Sequence, residues 1–217
     1  MQPMQEDGIL RYGDMIQLEN VHTESVLSTD FGDEIPLNEE NKCFSVTCSR
    51  LSQPMLRNVF IIDRPNEKDR GIFDGLNDVL HYGQSFVLRT LPEYTLDEYY
   101  VTSTKLSPQI ASRYSKQQLV YVTDKKNFEV CWKMQYWDPQ LRIENDGEPV
   151  RPGSFETQNI QPVIITHSLT GINLCADTVS YPNIFGNEHE TFCKNDYDNH
   201  RAETNKNRWF IRANQGQ

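Results

Sequence analysis

The residues best equipped for chemistry are five cysteines, Cys43, Cys48, Cys131, Cys175 and Cys193, and five histidines, of which His189 and His200 flank Cys193. Thiolate and imidazole are the ligands zinc prefers, and Cys43-x4-Cys48 with His189, Cys193 and His200 is the set from which a metal site would be drawn. Structural zinc sites space their cysteines two to four residues apart and usually do so twice. Here the first pair only borders on that pattern, so buried or surface thiols are the expected fate and no metal is assigned. Nucleophilic catalysis has no better footing, because the G-x-S-x-G elbow is absent and spacing alone selects no Cys-His couple. Neither phosphate-cradling glycine pattern, G-x-x-x-x-G-K nor G-x-G-x-x-G, occurs. The adjacent acids Asp97 and Glu98, and the pair Asp196 and Asp198, fall in polar segments where solvated charge is the more frequent role. No catalytic residue, cofactor or metal ligand is therefore assigned.

What remains is binding. The formal net charge is −10, which offers no overall basic footprint for nucleic acid or an anionic membrane. Within that acidic total, the stretch from Lys194 to Arg212 carries Lys194, Arg201, Lys206, Arg208 and Arg212 against Asp196, Asp198 and Glu203, so it is locally positive. It is a candidate for meeting an acidic partner surface, with Lys125 and Lys126 as a second candidate; an ordinary solvated loop is the plainer reading. Tyr99, Tyr100, Tyr136 and Trp137 could supply interface anchors, although core packing is the commoner use of such rings.

The elements that must position these residues are strands. Short β-branched and aromatic runs such as "RNVFIID", "QLVYVTD", "FEVCWKM", "PVIITH" and "NRWFIRA" are bounded by Asn, Asp, Gly and Pro. The segments "DEIPLNEENK", "LSPQIASRYSKQQL" and Tyr197 to Lys206 are expected to be loops with at most short helical turns, since prolines limit the first two and the third has no apolar stripe. No run of residues has the length and apolarity of a transmembrane helix, and the N-terminus has no secretory layout, so a cytosolic chain with reduced thiols is expected.

The chain also repeats itself. "ILRYGDMIQL" (Ile9 to Leu18) returns as "VLHYGQSFVL" (Val79 to Leu88), and "IQLENVHTESVLSTD" (Ile16 to Asp30) returns as "VIITHSLTGINLCAD" (Val163 to Asp177). Each unit closes on a strand, near Phe60, Trp132 and Phe210. One four-strand unit cannot cover its own apolar face, whereas three about an axis share a core. The expected fold is all-β: a single β-trefoil domain over 1–217, of three four-strand units at about 9–78, 79–150 and 151–213, with irregular loops. Val59, Ile61, Val130, Trp132, Trp209 and Ile211 are expected to point inward. Gly13 and Gly83 are expected at positive φ, turning the chain into the first strand of a unit.

Together "ILRYGDMIQLEN", "RNVFIID", "VLHYGQSFVL", "VCWKMQYWDPQLRIENDGEPV" and "DNHRAETNKNRWFI" resemble the cilia- and flagella-associated protein 161 family, in one order from Ile9 to Ile211. Most specific are Trp132 followed by Asp138, Pro139, Gln140, Leu141 and Arg142, and His200-Arg201 followed by Asn207 and Trp209. The opening Tyr12-Gly13-Asp14, with Tyr82-Gly83, is also similar to MIR-type trefoil repeats of inositol trisphosphate receptors and protein mannosyltransferases. The family resemblance implies a non-enzymatic microtubule inner protein in the axonemes of cilia and flagella. Such a protein sits on the luminal wall of the A-tubule of doublet microtubules and touches α/β-tubulin protofilaments and neighbouring inner proteins, with no nucleic acid or membrane partner. Members of the family carry a segment ahead of that opening and often a tail; here eleven residues precede Tyr12, and docking is expected to rest on the central body. The alternative is a MIR-like or lectin-like module holding a small polar ligand, against which the missing secretory layout counts. A metal-dependent enzyme is the third possibility.

Overall fold

A computed structural model describes residues 8–37, 41–69, 77–151 and 161–213. Twelve strands run through the described residues: β1 (Met15–Asn20), β2 (Ser25–Glu34), β3 (Cys43–Ser49), β4 (Phe60–Asp63), β5 (Ser85–Thr90), β6 (Tyr100–Ser103), β7 (Gln118–Thr123), β8 (Cys131–Tyr136), β9 (Val163–His167), β10 (Leu174–Asn183), β11 (Gly186–Cys193) and β12 (Arg208–Ala213). Among the described residues one α-helical turn, α1 (Arg142–Asn145), interrupts them, together with three-residue 3-10 turns such as Phe128–Val130 and Asn205–Asn207. The all-β expectation holds. Helix at Arg142–Asn145 was not foreseen, because a single turn has no periodicity to read.

The expected trefoil of three separate four-strand units is corrected by the pairings. All ladders are antiparallel and belong to one sheet, in which ten strands close into a barrel in the order β1, β2, β3, β11, β7, β6, β5, β8, β9, β12 and back to β1. β4 bridges β1 and β5 across this circuit, and β10 pairs on β11 outside it. The decisive pairings are β3 with β7, β7 with β11 and β11 with β3, which join hairpins assigned to different units. An exposed hairpin edge leaves backbone N–H and C=O groups unpaired, and closure removes that edge. Periodicity within a strand carries no information about which distant strand completes its ladder.

The repetition survives at one end of the barrel. Leu10 N–H donates to Val150 O at 3.0 Å, Val150 N–H to Leu80 O at 2.9 Å, and Leu80 N–H to Leu10 O at 2.9 Å, so three evenly spaced residues form a closed ring of backbone bonds. Their side chains are fully buried. Just after two of them the chain turns: Gly13 and Gly83 have φ of 98° and 81°, as their Tyr-Gly context predicts, and donate to Ile62 O and Met134 O. At Gly83 a Cβ would also stand 2.3 Å from Asp146 Oδ1, so both backbone and space require glycine. Tyr12 donates its hydroxyl to Ser85 O at 2.8 Å and thereby ties the first turn to β5.

Inside, Trp132 and Trp209 are completely buried, and their indole N–H groups donate to Val101 O (2.8 Å) and Leu174 O (3.1 Å). Burying a large side chain of this kind stabilises by about 1.5–3 kcal/mol, and the donated bond avoids the cost of a stranded N–H. Ile211 joins the same core as expected. In β4 the inward pair is Phe60 and Ile62, not Ile61 with the preceding Val59, which fill a satellite cluster with Leu91. Val130 likewise belongs to a side cluster with Val87, Tyr100 and Cys131. The run "VFIID" is apolar on both faces, and a one-residue slip exchanges those faces, so its parity is not encoded locally.

Candidate binding groove

Two of the sequence stretches that carry the family resemblance meet at the surface. The first begins where β8 ends. Asp138 closes a tight turn, its Oδ1 accepting from Gln140 N–H at 2.9 Å, and α1 follows. Arg142 on that turn reaches back, donating from Nε to Tyr136 O at 3.1 Å and from both terminal nitrogens to Glu203, Nη1 to Oε1 at 3.1 Å and Nη2 to Oε2 at 3.0 Å. Glu203 is buried, so its carboxylate depends on this guanidinium.

The second stretch, Lys194 to Arg208, is pinned by Asn207. That fully buried side chain donates to Leu174 O and Lys194 O and accepts from Asp196 N–H at 2.8 Å. Asp198 folds the tip of the loop by accepting from the backbone N–H groups of His200 (2.8 Å) and Ala202 (3.0 Å), bonds that hold its carboxyl below the usual range. Arg201 sits there at a φ of 61° and is exposed. Between the two stretches lies a groove of about 400 Å³ lined by Trp137, Asp138, Pro139, Gln140, His200, Arg201, Ala202 and Arg208. Arg208 stacks its guanidinium 5.2 Å from the centre of the Trp137 ring. Leu141 and Ile143, the latter 90% exposed, leave an apolar shoulder beside it.

The basic stretch read from sequence divides here. Lys206 is bound to Asp177 at 2.7 Å, Lys194 to Asp196 at 3.4 Å, and Arg212 to Glu19. The partnership shows in the carboxyls. Burial pushes Asp177 and Asp196 upward, but the hydrogen bonds from Lys206 to the first and from Thr204 and Lys194 to the second outweigh it and hold both below the carboxylate norm. The hydrogen bond to Asp177 in turn raises Lys206. Lys126 is engaged with Asp63 at 2.8 Å and lies over the Tyr100 ring, and Lys125 is exposed beside it at the β7–β8 connection. Arg201 and Arg208 thus carry the positive charge in the groove, and neither has an ion-pair partner among the described residues. Of the residues that carry the family resemblance, Trp132, Arg142, Asn207 and Trp209 build the scaffold, Tyr12-Gly13-Asp14 and Tyr82-Gly83 form the turns, and Asp138, Pro139, Gln140, His200 and Arg201 are presented outward.

The other chemical candidates are dispersed. Cys43 and Cys48 both lie on β3, five positions apart and therefore on opposite faces roughly 16 Å apart, which no disulfide spans. All five cysteines are buried thiols, and burial pushes Cys48 and Cys193 up to about 12, away from thiolate chemistry. His189 accepts from Arg50 Nε at 3.2 Å, while His200 is exposed in the groove. Among the described residues no cluster of three or more His, Cys, Asp or Glu is placed to hold a metal ion. Glu98 binds Tyr100 and Arg89. Tyr99 and Tyr100 are core residues, whereas Trp137 lies half-buried on the groove wall. The sequence reading did not find Glu203: nothing local marks an acid whose partner is 61 residues away.

A closed antiparallel β-barrel with a surface groove and no assembled reaction centre among its described residues is the class that the fold and site define. Solved structures share the fold. An SDF2-like protein from Arabidopsis thaliana superposes with a TM-score of 0.67 at 18% identity over 94% of both chains. A protein O-mannosyltransferase complex of S. cerevisiae bound to its sugar donor gives 0.64 at 13% identity, covering 94% of this chain and 25% of that one. Residues 4–214 match the family described as cilia- and flagella-associated protein 161-like domain, and the chain belongs to that family. Proteins named cilia- and flagella-associated protein 161 are 33% identical in Danio rerio over 76% of this chain, and 29% identical in both Bos taurus and Mus musculus over 97% of it. The matched part of the chain spans 52% of the length of the Danio rerio relative, 67% of the Bos taurus relative and 72% of the Mus musculus relative.

Proposed function

We propose that the protein is a non-enzymatic microtubule inner protein, bound to the luminal wall of the A-tubule in ciliary and flagellar doublets and stabilising the axoneme by contacts with tubulin and neighbouring inner proteins. The observation that carries this reading is the family match across residues 4–214, joined to relatives whose names associate them with cilia and flagella. The fold is consistent with the task. A barrel closed by bonds between distant segments resists deformation, and a permanent lattice component needs stiffness more than chemistry. The overall acidity is no obstacle to an acidic lattice, since exposed charges are screened beyond about 8 Å at physiological salt and the contact is local.

The test is localisation of a tagged copy in a ciliated cell followed by salt extraction of axonemes. Signal along the axoneme that resists high salt supports enclosure within the doublet. A diffuse or membrane-compartment signal would overturn the reading and favour a MIR-like module binding a small polar ligand.

A further inference from the structure

We infer that the groove between Trp137–Arg142 and His200–Arg208 is a receptor for an extended acidic segment of a protein partner. The inference deepens the proposed function, resting on it only for where the partner is met.

Three observations converge on that occupant. The first is charge. Of the basic residues from Lys194 to Arg212, those bound internally face elsewhere in the fold, and the two arginines left over, Arg201 and Arg208, both line the groove. Of the acids nearby, Glu203 is paired with Arg142, and Asp198, held by two backbone N–H groups, interacts electrostatically with Arg208 but is not part of the lining; the lining itself sets Arg201 and Arg208 against the single carboxylate of Asp138. The second is hydrogen-bonding capacity. The indole N–H of Trp137 and the Nε–H of Arg208, both covered by the protein, have no acceptor among the described residues. Folded proteins leave few buried donors unmade, and two on one groove wall are donors that an incoming acceptor completes once a side-chain rotation uncovers them. A carboxylate is the acceptor that matches a guanidinium best. The third is shape. The apolar shoulder of Leu141 and Ile143 continues the groove past Pro139, so a chain with an acidic side chain seated at Arg201 and Arg208 would lay an apolar neighbour on Ile143.

The scaffold meets the demands of such a site. The Arg142–Glu203 pair clamps one wall to the other, and Asn207 fixes the loop that presents His200 and Arg201. The backbone of the site is then held in place and binding asks only for side-chain adjustment, which keeps the cost of ordering low.

Fluorescence polarisation tests this with the full chain and labelled hexaglutamate, hexaglutamine and inorganic phosphate as competitor. Hexaglutamate should bind and hexaglutamine should not. Arg201→Gln should weaken binding by at least about fivefold, and Arg201→Gln with Arg208→Gln more, as expected for lost charge-assisted bonds. Trp137→Phe removes the N–H together with the five-membered ring while leaving an aromatic face for Arg208; a roughly threefold loss is expected. Lys125→Gln, which lies outside the groove, should leave affinity unchanged. Melting temperatures of the variants separate lost binding from lost folding, and the exposed Arg201 carries the test if Arg208 proves structural. Absence of binding, equal losses for Lys125→Gln and Arg201→Gln, or displacement by phosphate at the peptide's own concentration would each overturn the inference. Axonemal incorporation of a chain that fails to bind hexaglutamate would sink this inference and leave the proposed function standing; binding by a chain absent from axonemes would do the reverse.

Discussion

Two arginine–glutamate pairs of the same chemistry serve the protein in different ways. Arg57 and Glu188 are both nearly inaccessible, with side-chain exposures of 5% and 4%, and are joined by Nη1 to Oε1 at 2.7 Å and Nη2 to Oε2 at 3.0 Å. Glu188 also accepts from Thr47 and Asn183, and Arg57 donates to Thr29 O and lies over the Phe185 ring at 3.7 Å. Arg142 and Glu203 make the same fork, but the arginine is 27% exposed. The interior pair joins the segment before β4 to the β10–β11 hairpin within a fully satisfied network. The peripheral pair has one wet partner and sets the width of a groove. Burial raises both the gain and the penalty of a charge, so the same fork is a structural weld in one place and an adjustable clamp in the other.

The sharpest way to break this contrast is truncation of each arginine. Arg57→Ala strands a carboxylate with no water to reach it, and a loss of about 3–5 kcal/mol in chemical denaturation is expected. An equal loss from Arg142→Ala would abolish the distinction.

Acid provides the next largest effect. Burial pushes Glu188 upward, yet the hydrogen bonds from Arg57, Thr47 and Asn183 prevail and hold it at about 2, against an ordinary 4.5. Because the folded-state value is the lower one, the unfolded chain binds more protons as pH falls. The stabilisation is therefore complete above about 4.5 and is lost as pH descends through 2. Denaturant midpoints measured across that window should fall steeply in the parent chain and much less in Arg57→Ala.

Arg142→Ala comes third, at about 1–3 kcal/mol, since solvent can partly replace its bonds to Glu203. Its distinguishing signature is a change in Trp137 fluorescence with far-ultraviolet circular dichroism unchanged, showing that the groove opens while the barrel stays. The smallest effect calibrates the scale away from both pairs. Glu24 holds a φ of 50° at the turn between β1 and β2, and Gly171 holds 68° at the corresponding turn between β9 and β10; each donates its N–H to the strand end behind it, Asn20 or His167. Glu24→Gly should raise stability by up to about 1 kcal/mol, the relief of a left-handed conformation exceeding glycine's entropic cost. A loss on thermal melting would mean that the Glu24 side chain has a use the turn does not reveal.

What the sequence made legible was whatever chemistry is local. Tyr-Gly announces a backbone turn, and both glycines adopt it; aromatic residues in short closing strands announce a core, and Trp132 and Trp209 form it. Parity at Val59 to Ile62 was not legible, since four consecutive apolar residues offer no polar face to orient the strand. The closed barrel was not legible either, because the ladders linking β3, β7 and β11 join segments whose patterns would suit several partners. For the groove, the sequence contributed the two stretches and the excess of positive charge but not the sorting of that charge. Lys206 finds Asp177 at a separation of 29 residues and Lys126 finds Asp63 at 63, distances over which composition is silent.

The ring of backbone bonds among Leu10, Leu80 and Val150 also sets an order of events. It links residues 70 and 140 positions apart, so no partial chain can complete it, and nothing seals that end of the barrel until Val150 has left the ribosome. Contacts of such long sequence separation slow folding, and until they form the strand edges stay open to other chains. A protein built this way is exposed during synthesis and durable afterwards, and its yield in cells should depend on chaperone capacity more steeply than its finished stability would suggest.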